Sequence, residues 1–195
     1  MTFFFDTETT GLPQKSFFRG KSKYNYRNFN TFNSARIVSV AWIVTGNGPL
    51  QKRNFIIRPE GFEIPEAATN IHGISTEHAL ANGVSFATMA VQLLDDLQVS
   101  SVELVVAHNI IFDKAVMKSE LFRRGNKALL AALKNTKKYC TMLNAQTILR
   151  LMKWPRLPDL YTQLTGKTPD PAALHTATGD VLYCYECYQV LVEKF

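Results

Sequence analysis

The chain has 195 residues, 46% of them hydrophobic and 19% charged, which is enough for one domain with a full apolar core. Its apolar runs are far shorter than a bilayer span, and its first residues lack the basic, apolar, small-residue order of a secretory leader, so neither a membrane protein nor a secreted one is expected. Lys and Arg number 22 against 16 Asp and Glu, a net charge of +6 with a pI near 9.3, and such a balance favours a polyanionic partner. Three cysteines, Cys140, Cys184 and Cys187, suit a reducing intracellular compartment, cytoplasmic or nuclear, better than a disulfide framework.

Met1 to Pro13 reads as a buried strand entered through Phe3, Phe4 and Phe5 and stopped by Gly11 and Pro13. On a strand, residues i and i+2 share a face, which sets Asp6 and Glu8 side by side with Cα atoms about 6.5–7 Å apart. Two carboxylates so placed repel, and a hard divalent cation turns that repulsion into attraction. The pair reads as half of a metal site, or as a strand emerging into solvent at a Thr-rich turn. Residues 14–36 contain no acid, six Lys or Arg, and Phe17, Phe18, Tyr24, Tyr26, Phe29 and Phe32. This stretch is expected to be a long irregular insertion. Its cations and aromatics suit a phosphate backbone with stackable bases, unless the aromatics fold back on the core.

Residues 37–45 and 51–58 are expected to form an antiparallel hairpin across Gly46-Asn47-Gly48-Pro49. A short helix beginning near Pro65 should end before Gly73, leaving His72 at an exposed junction, as a substrate contact or as a satisfied structural residue. The steps Phe86, Met89, Ala90, Leu93, Leu94 and Leu97 mark an amphipathic helix. Residues 102–107 form a second buried strand running into His108-Asn109-Ile110-Ile111-Phe112-Asp113, and 114–124 are expected to be helical. Asp113 then sits in the first turns of a helix at a strand's carboxyl end, where open α/β sheets keep their sites; an acid there is also ordinary dipole stabilisation. Residues 118–138 carry seven Lys or Arg against one Glu, a second basic zone. A short strand at 138–141, a helix at 142–153, a brief helix around Leu157–Leu164 and a loop at 166–171 follow. The last helix carries the stripe Ala177, Val181, Cys184, Tyr188 and Leu191. Cys184 and Cys187 form a C-x-x-C inside that pattern, which reads as core packing. Five residues turn about 140° on a helix, so His175 and Asp180 can share a site if His175 stands on the entry loop.

Four acids, Asp6, Glu8, Asp113 and Asp180, thus have independent reasons to meet at one sheet edge. With four of the 16 acids gathered there, the remaining surface would carry about +10. The three segments Asp-x-Glu at 6–8, His-Asn-x-x-Phe-Asp at 108–113 and His-x-Ala-x-x-Asp at 175–180 resemble, in order, the motifs of the DEDDh family of 3′–5′ exonucleases, which includes the proofreading subunits of replicative polymerases. Thr69-Asn70-Ile71-His72-Gly73-Ile74-Ser75 is similar to that family as well. His175 stands five residues before Asp180, as in the His type; the sister group has Tyr four before, where this chain has Thr176.

The resemblance implies an α/β, ribonuclease-H-like fold: a mixed five-stranded sheet, its first three strands antiparallel, flanked by helices, forming a single exonuclease domain over 1–195. It implies two divalent cations, Mg²⁺ or Mn²⁺, one held by Asp6, Glu8 and Asp180 and the other by Asp6 and Asp113, with His175 as general base. It also implies contacts to the terminal nucleotide from Leu12, as a wedge, and from Thr9, His72 and Asn109. The expected activity is release of nucleoside 5′-monophosphates from the 3′ ends of DNA or RNA. A polymerase or another replication or repair partner is left open. A non-catalytic module that occupies nucleic-acid ends is the alternative, which the retention of all four acids and the His argues against. A ribonuclease H type endonuclease is disfavoured by the His motif and by Leu12.

Overall fold

The structure is a computed structural model that describes residues 1–14, 16–18, 21–46 and 48–194, without the side chains of residues 15–23 and 29. Its elements in chain order begin with β1 (Thr2–Thr9), β2 (Ser16–Phe18), β3 (Lys21–Lys23), α1 (Phe29–Phe32), β4 (Ile37–Thr45) and β5 (Gln51–Ile56). There follow α2 (Glu66–His72), α3 (Thr76–Asn82), α4 (Phe86–Val99), β6 (Leu104–Ala107) and α5 (Ile110–Arg123). The chain continues through α6 (Lys127–Asn135), β7 (Lys137–Cys140), α7 (Thr141–Ile148), α8 (Leu157–Thr165) and α9 (Ala177–Lys194).

Five strands form one sheet in the order β5-β4-β1-β6-β7. The first three sheet strands, β1, β4 and β5, pair antiparallel, and β6 and β7 join in parallel, which is the mixed sheet expected. The sequence explains the order. β4 is apolar on both faces and buried almost throughout, as a strand covered on both sides must be. β5 is largely polar and exposed, as befits an edge.

The side chains of β1 alternate between two cores. Phe3 and Phe5 join the cluster built from α4, α5 and α6, including Met89, Leu93, Met117 and Leu121. Phe4 joins the opposite cluster, built mainly from α8 and α9, with Leu160, Val181, Cys184 and Cys187. All three aromatics are at most 2% exposed, each contributing roughly 1.5–3 kcal/mol of apolar burial. Asp6 and Glu8, being even-numbered, share the Phe4 face with α9. The thiols of Cys184 and Cys187 are buried and unbridged, and burial drives both pKa values up, Cys187 to about 12. Core packing is therefore their role.

The β1–β6 ladder is short: Thr2, Phe3 and Phe4 pair with Leu104, Val105 and Val106. Beyond it β1 runs on beside β4 alone, and a notch opens at the carboxyl end of the parallel pair. The acids lie along that notch.

Several segments differ from expectation. The 14–36 insertion contains the antiparallel ribbon β2–β3 and the turn α1. Tyr24 packs on Phe32 and Tyr26 on Phe122, at ring-centroid separations of 6.1 and 6.0 Å. These aromatics fold back on the core, leaving that part of the stretch unavailable for base stacking; the side chains of Phe17, Phe18 and Phe29, and the cations Lys15, Arg19, Lys21 and Lys23, lie outside the described residues. Asn47 of the hairpin turn does too. α5 starts four residues before the expected 114, since Asn109 turns the chain with φ 69°. α7 stops at Ile148 rather than 153, because Arg150 takes a left-handed conformation with φ 52°. Helices α3 and α6 were not anticipated; Ser75 and Asn126 cap them by accepting from the N–H groups of His78 and Leu129. Among the described residues, no helix is long and apolar enough to cross a membrane.

Candidate active site

β1 fixes the first two acids. Asp6 lies opposite Ala41 and Glu8 opposite Ser39 on β4, small partners that leave space over that face. The register slips between Glu8 and Thr9, a bulge that turns the strand away immediately after the second acid. Gly11 completes the turn with φ 152°, and a Cβ there would lie 3.1 Å from the Ser34 carbonyl.

Asp180 arrives on the first turn of α9. Its placement depends on Thr176, which the motif marks only as the position of the sister group's Tyr, and on Gly179. The Thr176 hydroxyl caps the helix, accepting from Gly179 N–H at 3.0 Å and donating to the Ala173 carbonyl at 2.7 Å. Gly179 lets the entry loop lie against the helix, since a Cβ there would come within 2.0 Å of that same carbonyl. A Thr four residues before an Asp with Gly between them was the signal available in the sequence. The loop delivers His175, exposed and with φ 57°, next to Asp180, as the five-residue spacing required.

Carboxylate oxygens of Asp6, Glu8 and Asp180 all lie within 4.8 Å of one another. Asp113 comes from the opposite helical layer. Its Oδ1 accepts the Thr7 N–H at 3.2 Å and the Thr7 hydroxyl at 2.8 Å. Thr7 lies past the last β1–β6 pair, so Asp113 satisfies a backbone donor on the edge that β6 has left. It stands close enough to be the largest electrostatic influence on Asp6, though it is not one of the three that share a common ligand distance.

The electrostatics of this cluster are those of a site short of positive charge. Burial, then Asp113, Asp180 and Glu8, hold the Asp6 carboxyl well above the usual carboxylate range. Burial and then Asp180 and Asp113 push Glu8 to about 8. Burial raises Asp113 to about 7 against the opposing pull of its Thr7 bonds. Burial also raises Asp180 to about 6, against the imidazole charge and backbone N–H of His175. Among the described residues, no Lys or Arg forms an ion pair with any of the four. Carboxylate oxygens, hard ligands clustered and unneutralised, fit a hard divalent cation.

A cavity of about 400 Å³ adjoins Glu8. Thr9, Leu12, Ile71, His72 and Phe112 are among its walls, with Leu12 74% and Ile71 60% exposed. His72 is not at an exposed junction: it is 7% exposed, because the end of α2 packs over the turn after β1. Its Nδ1 accepts Ile74 N–H at 3.2 Å, while Nε2 is buried without a hydrogen-bond partner among the described residues. Burial lowers its pKa, opposed by the Thr9 carbonyl. Asn109 does not line the cavity; it supplies the left-handed residue before α5, a conformation Asn tolerates better than most. His108 is structural, its two ring nitrogens bridging the Thr141 hydroxyl (2.9 Å) and the Pro155 carbonyl (3.1 Å), with burial lowering its pKa to about 4.

The exonuclease family model RNase_T matches residues 3–188, a span that takes in all four acids and His175. The chain belongs to this exonuclease family. Among solved structures, this family member is similar to Escherichia coli exonuclease I in a zinc-bound complex with single-stranded DNA, at 22% identity and a TM-score of 0.70. It is likewise similar to a moderately thermophilic exonuclease I from Methylocaldum szegediense, at 21% identity and a TM-score of 0.71. Each likeness covers 99% of this chain and 40% of the other, so the exonuclease domain spans well under half the length of those proteins. The shared feature at this identity is the fold, which is ribonuclease-H-like. Comparison with curated proteins finds no match.

Proposed function

We propose that the chain is a divalent-metal-dependent 3′–5′ exonuclease that releases nucleoside 5′-monophosphates from the ends of DNA or RNA, and that residues 1–195 act as one such domain with an insertion at 14–36. The observation that carries this reading is the meeting of Asp6, Glu8 and Asp180 within 4.8 Å beside a cavity of about 400 Å³, with His175 at the entrance to α9. Asp6, Glu8 and Asp180 would hold one cation, and Asp6 with Asp113 a second. Bound there, Mg²⁺ or Mn²⁺ supplies Lewis acidity toward the phosphoryl oxygens and counter-charge for the leaving 3′ oxygen.

The chain's own groups do the rest. His175, on an exposed loop beside Asp180, takes the proton of the attacking water, a role suited to an imidazole near neutral pH. The water oxygen forms the new bond to phosphorus, the P–O3′ bond breaks, and the departing oxygen is protonated from solvent. Leu12 and Ile71 present apolar surface to the terminal base. His72, as a wall of the cavity, and the backbone around Thr9 would contact the terminal nucleoside, and Asn109 holds the turn that aims α5. Asp113, fixed through Thr7, keeps its carboxyl at the notch.

The test is a time course on 5′-labelled single- and double-stranded DNA and RNA with Mg²⁺ or Mn²⁺, and with EDTA. Stepwise shortening from the 3′ end that EDTA abolishes is the expected outcome. Full-length substrate throughout, or cutting of a circular strand, would overturn the proposal.

A further inference from the structure

The residue after Asp113 is Lys114, and its side chain is in an improbable place. It is 5% exposed, and its Nζ has no hydrogen-bond partner among the described residues. A buried ammonium without a partner is among the costliest arrangements in a folded chain. The stem does not end in the core, however. It lines a cavity of about 180 Å³ together with Tyr24, Tyr26, Ile111, Lys118 and Lys138. Lys118 is one helical turn along α5 and lies over the Tyr26 ring, 5.4 Å from its centroid. Lys138 projects from β7, the edge strand. Like charges at i and i+4 on a helix repel, and here a third is added. No acid forms an ion pair with any of the three among the described residues, and residues 14–36, which supply one wall, contain no acid at all.

Three ammonium groups around a space several times the roughly 30 Å³ of one water are complementary to a phosphate. The Tyr24 and Tyr26 rings, packed on Phe32 and Phe122, close its other side. We infer that this pocket binds a backbone phosphate of the nucleic-acid strand at a position other than the one being cut, with Lys114 as its innermost ligand. The inference rests on the exonuclease reading for the identity of the strand. The geometry ties the two sites together: Asp113 and Lys114 have Cα atoms about 3.8 Å apart and point into separate spaces, one anionic and one cationic, so a single strand can be held by one while its end lies in the other.

The experiment is fluorescence anisotropy with a 5′-fluorescein oligothymidylate in EDTA, so that binding is read without cleavage, on the full chain and on Lys114→Met and Lys138→Gln. Met keeps most of the Lys114 stem and removes only the charge, and Lys138 is exposed, so it reports even if the first variant fails to fold. Each variant should weaken binding by about tenfold at low salt, the scale of one charge-assisted hydrogen bond. Each should also flatten the dependence of log K on log salt by about 0.7, the release expected for one phosphate on a single strand. Without oligonucleotide, Lys114→Met should melt no lower than the wild type, since it loses an uncompensated charge. Unchanged affinity and slope in both variants would overturn the inference. So would a lower melting temperature for Lys114→Met with unchanged binding, which would make the lysine a structural residue. Inorganic phosphate at matched ionic strength separates the sources. If it alone protects Lys114 from amine-directed labelling and the oligonucleotide does not, the pocket takes free phosphate and the inference falls. A chain that binds in this way and never shortens a strand would refute the exonuclease reading and leave the pocket standing.

Discussion

Two groups of buried charge in this molecule behave in opposite ways. Arg36 and Glu120, 8% and 4% exposed at their side chains, pair directly; Arg124 closes on the same carboxylate and reaches Glu60 at 3.1 Å, and the Arg36 and Arg124 guanidinium groups stack over Phe62 and Phe86. Every charge there has its complement. Asp6, Glu8, Asp113 and Asp180 have no Lys or Arg ion-pair partner among the described residues, and all four carboxyls are pushed upward. Charge that is satisfied within the fold holds the fold together, whereas charge left unsatisfied waits for something the chain does not contain.

Substitution should separate the two groups most sharply. Asp6→Asn or Asp180→Asn should lower exonuclease turnover by on the order of 10³-fold or more, as the loss of a principal electrostatic group does, while the melting temperature in EDTA holds or rises because one repelling charge has gone. Glu120→Gln should do the reverse: destabilisation of about 3–5 kcal/mol, as when one partner of a buried pair is removed, with turnover per folded molecule retained. Chemical denaturation beside an oligonucleotide assay reads both, and a stable, active Glu120→Gln protein would dissolve the contrast.

A smaller effect should follow from the loop that brings His175 to the acids. Gly179→Ala places a methyl group where the Ala173 carbonyl now lies, forcing the 170–175 segment outward. Misplacement of a reacting group by about 1 Å costs on the order of 10²-fold in rate, so kcat should drop by that order with substrate binding in EDTA little changed. Wild-type kcat in this variant would show that the loop tolerates the shift and that His175 is not held by it.

The mildest test is pH. Glu8 moves from its ordinary 4.5 to about 8 on folding, and Asp113 and Asp180 move in the same direction. Between those limits the folded chain holds more protons than the unfolded one, so the stability of the metal-free protein falls as pH rises from about 4.5 to 8. Mg²⁺ or Mn²⁺ should restore it at pH 8 and do little at pH 5, where the carboxyls are protonated; Asp6→Asn should blunt that response. Melting curves across pH with and without metal decide this, and a metal-free protein steadier at pH 8 than at pH 5 would contradict the assignment of these acids.

Much of this site was legible in the chain because its information is local. Asp6 and Glu8 follow from the two-residue period of a strand, Asp113 from a helix opening at a strand's end, and His175 with Asp180 from a loop before an apolar stripe. What was hidden depends on partners remote in sequence. His72 reads as exposed until α2 is seen to pack over the β1 turn. Nothing near Arg36 announces Glu120, 84 residues away. Tyr24 and Tyr26 read as a stacking surface until α5 is beside them. Thr176 and Gly179 were visible but ambiguous, since a hydroxyl before a helix and a glycine in its first turn become positioning residues only once the Ala173 carbonyl is known to lie against both.

The three-pair ladder between β1 and β6 carries a consequence of its own. The recess that shelters the acids is a difference in length between two neighbouring strands, so its depth is set by where β6 gives out rather than by any side chain. Two more paired residues after Ala107 would advance that ladder by about 6.6 Å and occupy the ground on which Asp113 now meets Thr7. Reach toward a substrate in this architecture is thus adjusted by trimming or extending one strand, while the packing behind it stays as it is.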